Sequence, residues 1–92
     1  MRFQVIRRCR RTEGEQRYIH AALGVFARLP LERREQVRSL VGELAATPLD
    51  GRALFELLTR GETPPVTAAR TGVPAYRLYA LRRAFYDRFP LG

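Results

Sequence analysis

Helix-start signals divide this chain into short segments and leave it little alternative to a helical fold. Thr12-Glu13-Gly14-Glu15 is a capping box. The Thr12 hydroxyl accepts from the Glu15 backbone while the Glu15 carboxylate reaches back. Thr47-Pro48-Leu49-Asp50 supplies a cap, a proline suited to the first helical position and an acid at the third. Thr63-Pro64-Pro65 repeats that logic, and Pro74 opens a last segment in the same way. Pro30 and Pro90 close helices, and Gly61 and Gly72 fit positions just past a helix end.

Behind these signals the apolar residues recur at helical spacing. Ile19, Ala22, Leu23 and Phe26 form one stripe that runs up to Pro30. Glu13 and Arg17 add an i,i+4 pair in the favourable order. A second helix begins near Leu31, buries Val37, Leu40, Val41 and Leu44, and fades at Ala45-Ala46. Its Glu32 and Glu35 lie in early turns, where the helix dipole favours acids. The third helix presents Ala53, Leu54, Leu57 and Leu58, and the fourth runs through Val66, Ala68 and Ala69 to Gly72. The fifth continues to about Arg88 with Leu78, Leu81 and Phe85 inward.

Residues 2–8 alternate weakly, but a lone strand would leave its ladder unsatisfied. They read as an arm that packs through Phe3, Val5 and Ile6 or pairs with another copy. The expected fold is all-α: a compact bundle of about five helices with a C-terminal helix-turn-helix and a short basic N-terminal arm. The arm covers residues 1–11, and residues 12–92 form a single helical domain with the helix-turn-helix at 64–83. A chain of 92 residues suits one such domain.

The charge is uneven. Residues 1–11 carry five Arg and no acid, whereas residues 12–47 balance five Arg with five Glu. Residues 48–92 set seven Arg against Asp50, Glu56, Glu62 and Asp87. The net charge of +8 is therefore held by the two ends, which points to an anionic partner, most often nucleic acid. All 17 basic residues are Arg, and Lys, Asn and Trp are absent. That is the mark of a GC-rich genome, so the choice of Arg over Lys carries little meaning of its own.

Residues 64–83 read as a short helix, a tight turn at Thr71-Gly72-Val73 and a longer helix. Ala68 is small where the two helices cross, Gly72 can adopt the positive φ that reverses the chain, and Val73, Leu78 and Leu81 are apolar at the contact. This spacing resembles the helix-turn-helix of DNA-binding proteins, whose second helix enters the major groove. Residues 54–88 also resemble the promoter-binding region of bacterial sigma factors and the small helix-turn-helix domains of phage and transposon proteins. The chain departs from the sigma pattern at Thr47-Pro48, which interrupts the supporting helix, so sigma partners are not carried over.

With Leu78, Leu81 and Phe85 inward, Tyr76, Ala80, Arg83 and Asp87 point outward at 100° per residue, with Arg77 and Tyr79 on the flanks. Tyr76, Arg77, Tyr79, Ala80 and Arg83 are the expected groove-facing residues. Arg77 or Arg83 suits bidentate pairing with guanine, and the tyrosines suit phosphate or a thymine methyl. Asp87 must then lie beyond the groove or pair with Arg83 one turn earlier. Arg70 and the backbone N–H groups near Thr63 are phosphate candidates. Arg2, Arg7, Arg8, Arg10 and Arg11 are expected to form either a minor-groove or phosphate arm or a partly disordered tail. Arg82 and Arg88 are expected to snorkel at the core edge.

Enzymatic chemistry has little to work with. His20 and Cys9 are the sole histidine and cysteine, too few for a zinc site, so no metal or other cofactor is expected. His20 reads as a half-exposed structural residue. Arg7, Arg8, Arg10 and Arg11 around Cys9 predict a lowered thiol pKa, but no resolving cysteine exists. Ser39 is the only serine and has no plausible base, and there is no glycine-rich phosphate loop. No apolar run approaches the about 18 residues of a membrane span. The start of the chain lacks the apolar stretch of a secretory signal. One cysteine fits a reducing, cytoplasmic setting, at the nucleoid if DNA is the partner.

The expected function is DNA binding by the helix of about residues 74–88 docked in the major groove of a duplex. The chain would act as a small transcriptional regulator or accessory factor of a bacterium or phage, with no membrane or small-molecule substrate as partner. A homodimer on two half-sites would supply useful affinity. One alternative is a helical protein–protein adaptor for an acidic partner, which requires the apolar faces of the first two helices to stay exposed. Another is RNA binding by stacking on Tyr18, Tyr76, Tyr79 and Tyr86 beside the basic arm.

Overall fold

A computed structural model describes residues 3–91, so Arg2 lies outside the described residues. The chain forms α1 (Glu13–Gly24), a 3-10 turn (Phe26–Arg28), α2 (Leu31–Leu44), α3 (Pro48–Arg60), α4 (Pro64–Thr71) and α5 (Ala75–Arg88). No strand occurs among the described residues. None of their helices is long and apolar enough to cross a membrane.

The local start signals work as chemistry dictates. The Thr12 Oγ1 accepts from the Glu15 N–H at 3.1 Å, and the Thr12 N–H donates to Glu15 Oε1 at 2.9 Å. The Thr47 hydroxyl accepts from the Asp50 N–H at 3.1 Å, with Pro48 opening α3. Gly61 and Gly72 close α3 and α4 at φ +66° and +85°, left-handed values that cost a side-chain-bearing residue free energy. Val73 follows Gly72 into the core, and the Pro74 carbonyl accepts the first hydrogen bonds of α5.

α1 ends sooner than its stripe suggested. It stops at Gly24, and Phe26 sits in the 3-10 turn ahead of Pro30. There Phe26 packs edge-on against Phe55 of α3, ring centroids 4.9 Å apart, with the Arg38 guanidinium over both rings. An aromatic contact across the bundle thus replaces the last turn of helix.

The core is one cluster centred on α3, which touches each of the other four helices. Ala53, Leu54 and Leu57 of α3 meet Ile19 and Leu23 of α1, Val37 of α2, and Leu78 and Phe85 of α5. Phe89, just past α5, is also buried and stacks on Phe85 at 5.4 Å, a core role not anticipated for it. The apolar stripes of α1 and α2 lie inside this cluster, against the requirement of the adaptor reading that they stay exposed.

The N-terminal segment packs on the bundle. Ile6 is buried, and Phe3 meets His20 edge-on at 5.2 Å, whereas Val5 is half exposed. The Gln16 side chain replaces a missing strand partner: its Oε1 accepts from the Ile6 N–H at 2.7 Å, and its Nε2 donates to the Ile6 and Arg11 carbonyls. Gln16→Leu keeps the volume and removes these bonds, stranding a buried N–H at a cost of about 1–3 kcal/mol. The thermal midpoint should then fall by roughly 5–20 °C, and proteolysis within residues 3–11 should accelerate. An unchanged midpoint and cleavage rate would show that Gln16 does not hold the segment.

Candidate nucleic-acid interface

The first turns of α5 present one outward stripe. Tyr76, Tyr79, Ala80 and Arg83 follow at i, i+3, i+4 and i+7, opposite the buried Leu78 and Phe85. Tyr76 is 72% exposed and Tyr79 48%, Ala80 is exposed, and Arg83 is half-buried. Among the described residues Arg83 makes no ion pair. Of the two courses open to Asp87, the pair with Arg83 does not form, and Asp87 does not line the groove between residues 4–8 and α5. Asp87 Oδ1 instead accepts from the Arg10 N–H at 2.7 Å and the Cys9 thiol at 3.2 Å, anchoring the N-terminal segment to α5.

That anchor places the segment beside the stripe. A groove of about 430 Å³ runs between residues 4–8 and α5. Arg7, Arg8, Tyr79, Arg82 and Arg83 line it, and no acidic side chain does. The acids of α2, Glu32, Glu35 and Glu43, line a different hollow that shares none of these residues. Arg82 is therefore part of the basic face. Its position flanking Arg83, three residues after Tyr79, was the signal that could have marked it.

The remaining expected contacts fare differently. Arg77 donates from Nη1 to Asp50 Oδ1 at 3.1 Å, and Asp50 is almost wholly buried at the start of α3. This bond to Asp50, more than any other contact, raises the Arg77 pKa. The residue ties α5 to α3 and is not a free reader of bases. Arg70 is engaged by both Glu56 and Glu62, so a phosphate would compete with two carboxylates for it. Pro64 and Pro65 remove two of the N–H groups that α4 would otherwise offer an anion. Arg11 donates from Nε to the Tyr86 carbonyl at 2.9 Å and from Nη2 to the Phe89 carbonyl at 2.5 Å. It thus caps α5 and does not serve as an arm cation. Arg10 is exposed but does not line the groove.

Two other expectations need correction. The Cys9 thiol pKa is raised: burial is the largest cause and the Asp87 carboxylate adds to it, outweighing the Arg11 backbone N–H. Tyr86 is only 3% exposed, its phenol pushed up to about 12 by burial, so it offers no face for base stacking. Tyr18 is exposed on α1 beside Leu91, away from the groove, so the tyrosines of the RNA reading do not form one platform. His20 is half-buried as expected, and burial is the main cause that lowers its pKa.

No family model, no curated protein and no solved structure matches this chain.

The Arg70 cluster has a pH signature. The Arg70 bond lowers the Glu56 pKa; burial pushes Glu62 up, but its bonds from Arg70 and Thr67 outweigh that and leave it lowered. Folded-state values below the ordinary 4.5 mean stability that is present above that value and lost as pH falls through the lowered ones. The thermal midpoint of the native chain should therefore drop more between roughly pH 5 and pH 3 than that of Arg70→Met. Parallel midpoint curves would show that Arg70 does not bind these carboxylates.

Proposed function

We propose that this chain binds double-stranded DNA, laying the outward stripe of α5 in the major groove. α4 and the turn at Gly72 support that helix from behind, as in a helix-turn-helix. Arg83 and Tyr76 contact base edges or the adjacent phosphates, and small Ala80 allows close approach. Arg7 and Arg8 grip the flanking backbone. The chain then acts as a small regulator or accessory factor, with two copies on two half-sites supplying useful affinity. The observation that carries the reading is a continuous outward stripe, Tyr76 to Arg83, running into an arginine-lined groove without an acid.

Selection from a random duplex library at moderate salt tests this reading. The native chain should enrich a motif, with binding that falls steeply as salt rises. Arg77→Ala would strand the buried Asp50, so Tyr76→Ala combined with Arg83→Ala is the informative variant. It should lose about 10- to 100-fold in affinity for the selected motif while keeping its thermal midpoint. Arg28→Ala, exposed in the 3-10 turn, should bind within about twofold of the native chain, as expected of a surface change distant from the contact. Equal binding by the double variant, or no retention of duplex by the native chain, would reject the proposal.

A further inference from the structure

Arg82 carries an unpaired nitrogen into the fold. It is half-buried, and its Nε is sealed from solvent without a hydrogen-bond partner among the described residues. No carboxylate of those residues comes within ion-pairing distance. Burial lowers its pKa, and the contact it does make is with the Tyr79 ring, 5.6 Å from the guanidinium carbon. Acids nearby are engaged elsewhere. Glu62, which lines an adjoining hollow with Arg82, is held by Arg70 and Thr67. Asp87, one turn on, is held by Cys9 and the Arg10 N–H.

A sealed N–H without a partner carries its own desolvation penalty. Arg7, Arg8 and Arg83 line the same groove as Arg82, and no acid does. An anion in that groove would meet four arginines and no carboxylate. A planar, forked guanidinium matches phosphate oxygens in a bidentate fashion, and four such groups suit a group carrying several acceptor oxygens.

The geometry points to a phosphate-binding site formed by Arg7, Arg8, Arg82 and Arg83, occupied by a backbone phosphodiester of the DNA that α5 reads. This assignment rests on the DNA-binding reading above and specifies how that face holds the strand. The groove adjoins the α5 stripe through Tyr79 and Arg83, so a strand running past the stripe enters it. A backbone contact of this kind sets register and carries no sequence information.

Arg82→Met separates this role from a structural one, because it keeps the aliphatic stem and removes the unpaired charge. The variant should melt at or above the native midpoint. Its affinity for the selected duplex and for an unrelated duplex should fall by the same factor, about tenfold. The slope of log affinity against log salt should shrink by about 0.9, the signature of one lost phosphate contact. Unchanged affinity and slope, with the native chain still binding DNA, would overturn the phosphate site and leave the α5 reading standing. Failure of the native chain to bind duplex would instead remove the reading on which the site rests. A loss confined to the selected sequence would make Arg82 a reader of bases and overturn the assignment. So would inorganic phosphate that stabilises the native chain but not Arg82→Met, while both bind duplex equally. If Arg82→Met fails to fold, Arg7→Ser with Arg8→Gly tests the same groove from exposed positions, and the slope must again fall.

Discussion

The buried stripe of α3 carries this structure, because every other helix packs on it. Ala53, Leu54, Leu57 and Leu58 are all buried, and α3 touches α1, α2, α4 and α5. Full burial of a leucine-sized side chain contributes about 1.5–3 kcal/mol, so this stripe is a large part of what a small domain can gather. From outside the core, α3 holds the α4–α5 corner at two further points. Asp50 binds Arg77 of α5, and Glu56 binds Arg70 of α4. The outward stripe of α5 faces where it does because Leu78 and Phe85 are fixed inward and Arg77 is fixed sideways.

The distribution of acids explains the distribution of free cations. Glu15 caps α1, and Glu13 and Glu43 answer Arg17 and Arg88 on the surface. Asp50, Glu56 and Glu62 clamp the α4–α5 corner, and Asp87 holds the N-terminal segment. The Glu13–Arg17 and Glu43–Arg88 pairs are exposed, so their main effect is positional. Glu32 and Glu35 remain, on the far hollow of α2. Among the arginines that no acid answers, Arg7, Arg8, Arg82 and Arg83 share one groove between the N-terminal segment and α5.

The helices were legible because their signals are local. A threonine hydroxyl reaches an N–H three residues on, a proline fits one helical position, and a glycine past the end takes a positive φ. Each is decided within a turn of chain. The partners of the charged side chains were not legible, because they lie far along the sequence. Arg77 finds Asp50 across 27 positions, and the Arg10 N–H finds Asp87 across 77. The i,i+4 rule would have paired Asp87 with Arg83, but a backbone donor brought in by folding took its oxygen. Cys9 shows the same limit. Neighbours in sequence predicted a lowered pKa, yet Arg7, Arg8 and Arg10 turn to solvent while the thiol turns inward, and burial prevails.

Folding also turned the expected arm into part of the body, and this bears on how it would bind. Ile6 is held by Gln16, Cys9 and Arg10 by Asp87, and Arg11 by the last carbonyls of α5. Arg7 and Arg8 lie between these ties, so their backbone is fixed before any ligand arrives. A tethered loop loses less entropy on binding than a free tail, which favours affinity without added contacts. Arg8 sits at φ +63°, the left-handed region a residue with a Cβ adopts at a cost of about 1–2 kcal/mol. It persists because the ties on either side leave the chain no other course. The strained backbone of Arg8 and the unpaired guanidinium of Arg82 line the same groove. Each opposes folding by itself.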